Sequence, residues 1–463
     1  MDDLEHIRDD IGQLSRLKTY THVLLCFPIP DTTTRESITN ALRNAALELT
    51  SSFPWLAAKV VNEGSGMGNS GVFKLAQCPQ FAPPNSIVQV KDCSHICPTY
   101  EDIIRSRGPF EMLDGKVLAP CVAFPEIHAE STESDPACVI AIQANYIQGG
   151  LLLDAATQHN FIDGNGLFQC LRLLAKAMCG QKFSNAEIEQ GNRDRRTLIP
   201  LLRPNEGMLD HSHLKRQPLP ATSRPTQSPT KPAESAAWCC FRFSGAKLKE
   251  LKHSVNKDLG RNAVASSITY VSTNDALSGF LWKCLSAIRL KRRQQPNDFS
   301  KFSRALDARR AMQVPKEYMG QMGYNATCRI SFGDLEKMSL REVCALLRET
   351  VQTVNNEYSV RSWVTFIANE PDKSTIMFGG TFNPDTDIGL SSLAHAELYS
   401  VEFGALGKPQ LVRRPNFGPL ESIVYFWPQT EDGDIDVLMC LSGMDLQGMK
   451  EDGVWMSFAN FIG

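Results

Sequence analysis

His159-Asn160-Phe161-Ile162-Asp163-Gly164 has the form H-x-x-x-D-G and directly follows a strand-like apolar run at residues 140–153. A histidine delivered from the end of a strand, with an aspartate four residues on and a glycine after it, suits a general base held by a tight turn. Histidine titrates near neutral pH, so it takes a proton from a hydroxyl or amine and later returns it. The chain has nine histidines. Ordinary residue frequencies then give about 0.03 such matches by accident. The motif is suggestive alone, and its surroundings decide what it means.

Upstream, Tyr20–Pro28 reads as a strand, and residues 34–49 set Ile38, Leu42, Ala45, Ala46 and Leu49 on one helical face. Two further strands, 55–61 and 72–77, flank the glycine-rich stretch 64–71, which contains G-x-G-x-x-G. A dinucleotide fingerprint needs a helix after it, so that the pyrophosphate meets a helix N-terminus. Here a strand follows, and the stretch reads as a hairpin loop. Downstream of the motif, residues 165–180 form an amphipathic helix with Leu167, Leu171, Leu174 and Met178 inward, stopped by Gly180. Gly164 itself permits close packing or a positive φ at the turn.

The periodic pattern disappears between Arg203 and Ser235, where six prolines alternate with Ser, Thr, Lys and Gln. Residues 203–236 therefore read as an extended, mobile linker, and its pair His211 and His213 as solvated. Beyond it come a strand at 238–243 and a helix from Gly245. Ser272 then opens a long helix through Arg289, with Asp275 placed as in a capping box. That helix start is also a place for a phosphate. A second long helix is expected at 339–355, then strands at 422–427 and 436–441. Strands alternating with helices on both sides of the linker imply two α/β halves, 1–202 and 237–463.

The 463 residues exceed one ordinary core and fit two domains. With 42% hydrophobic and 21% charged residues and a net charge of −3, composition gives no reason to expect a nucleic-acid partner. The basic run 289–293 is read as a solvated helix face. No apolar run approaches the roughly 20 residues of a membrane span. The acidic N-terminus lacks the pattern of a signal peptide. The fourteen cysteines sit among apolar neighbours, which suggests buried reduced thiols in a cytoplasmic protein. Cys93-Ser94-His95-Ile96-Cys97 lacks a second ligand pair at finger spacing, so no metal is expected.

Several segments resemble one family in order and spacing. Phe53-Pro54-Trp55-Leu56-Ala57 is similar to F-P-x-L-A-G, and Gly149-Gly150-Leu151 leading to His159 to a G-G-strand-then-His approach. Ser272-Thr273-Asn274-Asp275-Ala276-Leu277, continuing to Trp282-Lys283, resembles S-T-x-D-A-L…W-[KR]. Leu306-Asp307-Ala308-Arg309-Arg310 resembles a D-x-R element. The segment from Glu402 to Pro409 stands where D-F-G-W-G-K-P belongs. On these residues the chain resembles the BAHD superfamily of CoA-dependent acyltransferases, in the fungal branch typified by trichothecene 3-O-acetyltransferase.

The resemblance implies two chloramphenicol-acetyltransferase-like domains, each a mixed β-sheet flanked by helices, with a channel between them. CoA enters from one side and the acceptor from the other. His159 is then the general base on an acceptor hydroxyl (an amine is the lesser alternative), and no covalent acyl-enzyme forms. Acetyl-CoA or another acyl-CoA is a co-substrate, and no cofactor is permanently bound. The acceptor is a small-molecule secondary-metabolite alcohol, with no nucleic acid or membrane partner, and the enzyme a monomer. Asp163 is a catalytic candidate as a carboxylate orienting the imidazole, whereas its equivalent in this family generally points away from the histidine and braces the turn through a salt bridge, the reading favoured here. Glu402 replaces the signature's Asp, and Gly404 follows the signature. Glu402 is expected to pair with Arg309 or a neighbour. The segment is one residue longer than the signature, so its Trp position falls on Ala405 or Leu406. Ser272 and Lys408 are candidate CoA contacts. The alternative reading is a condensation- or cyclisation-type enzyme of the same fold. Such domains carry a doubled histidine, whereas Gln158 precedes His159.

Overall fold

The apolar run 140–153 folds as two strands rather than one. In the computed structural model, β5 (Ile140–Ile147) turns back at Gln148-Gly149 into β6 (Gly150–Gln158), and every residue of both strands is buried. Gly149 takes a φ of +82°, which side-chain-bearing residues adopt poorly. A Cβ on Gly150 would lie 2.3 Å from the ring of Tyr100. The glycine pair is therefore what breaks the run. The structure describes residues 4–82, 84–125, 132, 135–216, 236–257 and 268–463.

Around this hairpin a five-stranded mixed sheet is built. β1 (Tyr20–Pro28) pairs antiparallel with β6, while β4 (Val88–Asp92) runs parallel to β5. At the opposite edge, β11 (Leu411–Arg413) joins β1 from the other end of the chain. Alternation along the strands gives the sheet two faces. Val23, Leu25, Leu151 and Leu153 pack on the helices Arg35–Ser52 and Gly164–Met178, through Ile38, Leu42, Leu167 and Leu171. Leu24, Cys26 and Leu152 pack the other way, on Tyr100 and Ile103. The glycine-rich stretch is a hairpin loop between β2 (Ala58–Glu63) and β3 (Val72–Gln77).

The second sheet has seven strands in the order β14-β7-β13-β12-β10-β8-β9. They are β7 (Ala237–Phe243), β8 (Phe299–Asp307), β9 (Gly323–Ser331), β10 (Ile388–Ser392), β12 (Ile423–Phe426), β13 (Ile435–Leu441) and β14 (Ala459–Phe461). β10 lies parallel to β8 and β12, and the remaining pairs are antiparallel. The long helix Thr273–Arg293 packs on this sheet with Leu277, Leu281 and Trp282, and the helix Leu340–Val354 contributes Val343 and Leu347.

A third core joins the N-terminal segment to the second half of the chain. Ile11, Leu14 and Leu17 meet Tyr318, Trp363 and Val364 there, with Leu214 among them. Of the expected linker, residues 217–235 lie outside the described residues. The preceding stretch is packed: Leu209 N donates to Ser362 Oγ at 2.9 Å, and Met377 N to the Leu214 carbonyl at 2.7 Å. His211 is not solvated as expected. Its ring packs beside Trp363 and Phe366, with Nε2 2.9 Å from Ser362 Oγ.

The basic run also departs from expectation. Arg289 is fully buried. It donates to Asp445 at 2.8 Å and to the Asp387 carbonyl at 3.2 Å, and also bonds Ser422. Arg292 and Arg293 pair with Asp385 at 3.3 Å. Acidic partners distant in sequence turn a run of like charge into a tie between the helix and the sheet.

Candidate active site

β6 ends at Gln158, and the chain turns at once. His159 N donates to the Thr19 carbonyl at 2.8 Å, while Phe161 N and Ile162 N both donate to the Gln158 carbonyl. Asn160 points its amide back at the N-terminal segment and donates to the Leu14 carbonyl at 3.1 Å. The turn leads into the Gly164–Met178 helix, whose N-cap is Asp163 in an extended conformation. Its Oδ1 accepts from Gly166 N at 2.8 Å, the expected way to satisfy a free amide of the first turn.

Asp163 does not hydrogen-bond to the imidazole among the described residues. Its carboxylate meets the Arg309 guanidinium in a two-point contact, Nη1 to Oδ2 at 2.8 Å and Nη2 to Oδ1 at 2.9 Å. Met322 N adds a third donor at 3.0 Å. Arg309 also donates to Asp307 and to the carbonyls of Tyr318 and Gly320. One buried ion pair thus ties the histidine turn to the segment before β9. The neighbouring carboxylates push Arg309 above its ordinary pKa against the effect of burial.

The ring of His159 is reached from that same segment. Gln321 is buried, with its amide nitrogen 2.7 Å from His159 Nδ1. The same nitrogen donates to the His159 carbonyl, and Gln321 Oε1 accepts from Gly323 N at 3.2 Å. Among the described residues no hydrogen bond reaches Nε2. Burial lowers the imidazole's pKa below its usual 6.5, and the charge of Asp163 opposes that shift. The ring is therefore neutral at physiological pH, the form that accepts a proton.

Not every expected site residue joins this cluster. Gly164 has no positive φ, and a Cβ there would make only ordinary contact with Leu393 at 3.7 Å. The close approach is at Gly166, where a Cβ would stand 2.1 Å from the Met319 carbonyl oxygen. The expected pairing of Glu402 with Arg309 is not formed, because Arg309 is taken by Asp163 and Asp307 and Glu402 is exposed. The Glu402 carbonyl accepts from Cys179 Sγ, and Gly404 N donates to the same sulfur. Gly404 has a φ of +56°, and a Cβ would come within 2.6 Å of the Met178 carbonyl. This segment therefore seats the far end of the Gly164–Met178 helix, about 20 Å from the histidine turn at 1.5 Å per residue. Leu406 is buried and Ala405 exposed, with no aromatic ring at either.

Ser272 caps its helix: Oγ accepts from Asp275 N and the Asp275 carboxylate returns the bond. Lys408 pairs with Glu431 at 2.7 Å on the surface. Neither set of contacts reaches His159. Sequence reasoning missed Gln321, Gly166 and Arg195. Arg195 donates to the Phe161 carbonyl at 2.8 Å from between the rings of Trp55 and Tyr318. A cavity of about 760 Å³ opens beside Gln158, the residue before His159, and is lined by Lys18, Val60, Asn62, Phe73 and Asp372.

The His159 turn, tied through Asp163 and Arg309 to the segment before β9, can be placed among known proteins. The Transferase family matches residues 122–456, and the trichothecene 3-O-acetyltransferase-like N-terminal domain matches residues 19–179. The chain belongs to the Transferase family. Its relatives include the O-acyltransferase pigD of Monascus ruber, 46% identical with 100% of both chains covered. Another is the O-acetyltransferase epaC of Aspergillus niger, 43% identical over 100% of this chain and 98% of the relative. Among solved structures, Fusarium sporotrichioides TRI101 complexed with coenzyme A and T-2 superposes with a TM-score of 0.88 at 32% identity, covering 98% of this chain and 99% of that one. As in that Transferase-family structure, the fold is α/β with two mixed sheets flanked by helices.

Proposed function

We propose that His159 is the general base of this acyl-CoA-dependent O-acyltransferase, moving an acyl group, acetyl by preference, from acyl-CoA to a hydroxyl of a secondary metabolite. The observation that carries the reading is the imidazole itself: half-buried, neutral, contacted by Gln321 at Nδ1 and, among the described residues, without a hydrogen bond at Nε2. The names of the relatives support the chemistry, since two of them are O-acyl- or O-acetyltransferases. The TRI101 structure was solved with coenzyme A and the small molecule T-2.

His159 Nε2 takes the proton of the acceptor hydroxyl as its oxygen attacks the thioester carbonyl carbon. The tetrahedral intermediate collapses with cleavage of the C–S bond, and the imidazolium returns the proton to the departing thiolate. General-base help of this kind supplies about 10² to 10⁴ in rate. Asp163 and Arg309 set the turn and stay out of the proton transfer. Ser272 and Lys408 remain the candidates for CoA contact. The reading includes two halves, 1–202 and 237–463, in a monomer that works in the cytoplasm. One chain supplies both sides of the site, and all fourteen cysteines are free thiols.

Release of free CoA thiol from acetyl-CoA tests this, with a panel of hydroxylated fungal metabolites, for the wild type and His159→Ala. Acceptor-dependent release that disappears in the variant is expected. Equal release by the variant would eliminate the general-base role. Absence of both release and CoA binding would favour the carrier-bound or cyclising alternative.

A further inference from the structure

Gln321 is the one side chain among the described residues that hydrogen-bonds to the ring of His159. It comes from the opposite half of the chain, 162 residues away. Its backbone is clamped on both sides: Gly320 O accepts from Arg309 Nη2 at 3.0 Å, and Met322 N donates to Asp163 Oδ2 at 3.0 Å. The residue is 2% exposed. Burying a primary amide is costly unless its hydrogen bonds are made. Gln321 makes them to His159 and to Gly323 N, so its placement serves the imidazole.

We propose that Gln321 is a positioning residue for acyl transfer, fixing the orientation of the His159 ring from the opposite half of the chain. The proposal rests on the reading of His159 as the base. The amide nitrogen reaches both the ring and the His159 carbonyl, and Oε1 is held by Gly323 N, so the side chain has one orientation and sets that of the ring. An amide does this without adding charge. The charged groups nearest the ring, Asp163 and its partner Arg309, are already joined to each other.

The test compares Gln321→Leu, Gln321→Glu and His159→Ala by steady-state kinetics against pH. Leucine keeps the bulk and removes the hydrogen bond, so kcat should fall by about tenfold or more while the KM for acetyl-CoA stays within about twofold. Glutamate keeps the reach and places a negative charge beside the imidazole, so it should move the acidic limb of the profile to higher pH. Wild-type kcat and pH profile in Gln321→Leu would overturn the proposal. So would equal losses in both variants with an unshifted profile and a lowered Tm, which describe a packing role alone. Undiminished activity in His159→Ala would instead reject the base assignment itself, whatever the Gln321 variants do.

Discussion

Asp163 and Arg309 face each other across the boundary between the two sheets, joined at 2.8 and 2.9 Å with both side chains nearly excluded from solvent. The carboxylate also caps a helix and receives Met322 N. All its acceptor positions are thus spent on structure. The aspartate of the H-x-x-x-D-G motif holds the turn and the facing segment in register.

Asp163→Ala leaves Arg309 buried without its main partner and removes the helix cap. Breaking a buried pair on one side costs about 3–5 kcal/mol. Denaturant unfolding should show a loss of that order, with activity falling alongside it. Unchanged stability with turnover abolished would assign Asp163 to the chemistry instead.

The pH dependence follows from the lowered pKa of His159. The base works when neutral, so kcat/KM should rise through a midpoint below the ordinary 6.5 and be level at pH 7. Stability runs the same way. Below 6.5 the unfolded chain binds a proton that the folded ring resists, so this group makes the fold less stable as pH falls. A kinetic midpoint above 6.5 would contradict the burial of the ring.

Arg289→Ala takes from the buried Asp445 carboxylate its hydrogen-bonding partner, leaving Arg292 at 3.3 Å, and leaves Ser422 without its donor. The expected loss is again about 3–5 kcal/mol, with the KM values unchanged. A calorimetric Tm equal to that of the wild type would mean the guanidinium is dispensable.

Gly166→Ala forces a Cβ against the Met319 carbonyl, two residues before Gln321. The 318–323 segment must then move. The variant should lose kcat more than it loses acetyl-CoA affinity, measured by turnover and titration on one preparation.

Local pattern made part of this legible in advance. The strand Tyr20–Pro28 and the inward face of the Arg35–Ser52 helix follow from periodicity, and Ser272 marks a helix start through its capping box. His159 was visible because the residues around it form one turn. Gln321 carries no local signal, since its meaning depends on a partner across the fold. Arg289 misled for the same reason: five residues of basic sequence say nothing about Asp445, 156 positions on. The hairpin at Gly149 was marked by its two glycines, but reading 140–153 as one run hid the reversal.

The three residues of β11 close one edge of the first sheet against β1. During synthesis that edge stands open from the time β1 emerges until residue 411 is made. At ordinary translation rates this is about 20–80 s, during which a bare strand edge is a template for mispairing. Slow or interrupted translation of the second half should therefore surface as aggregation of the first.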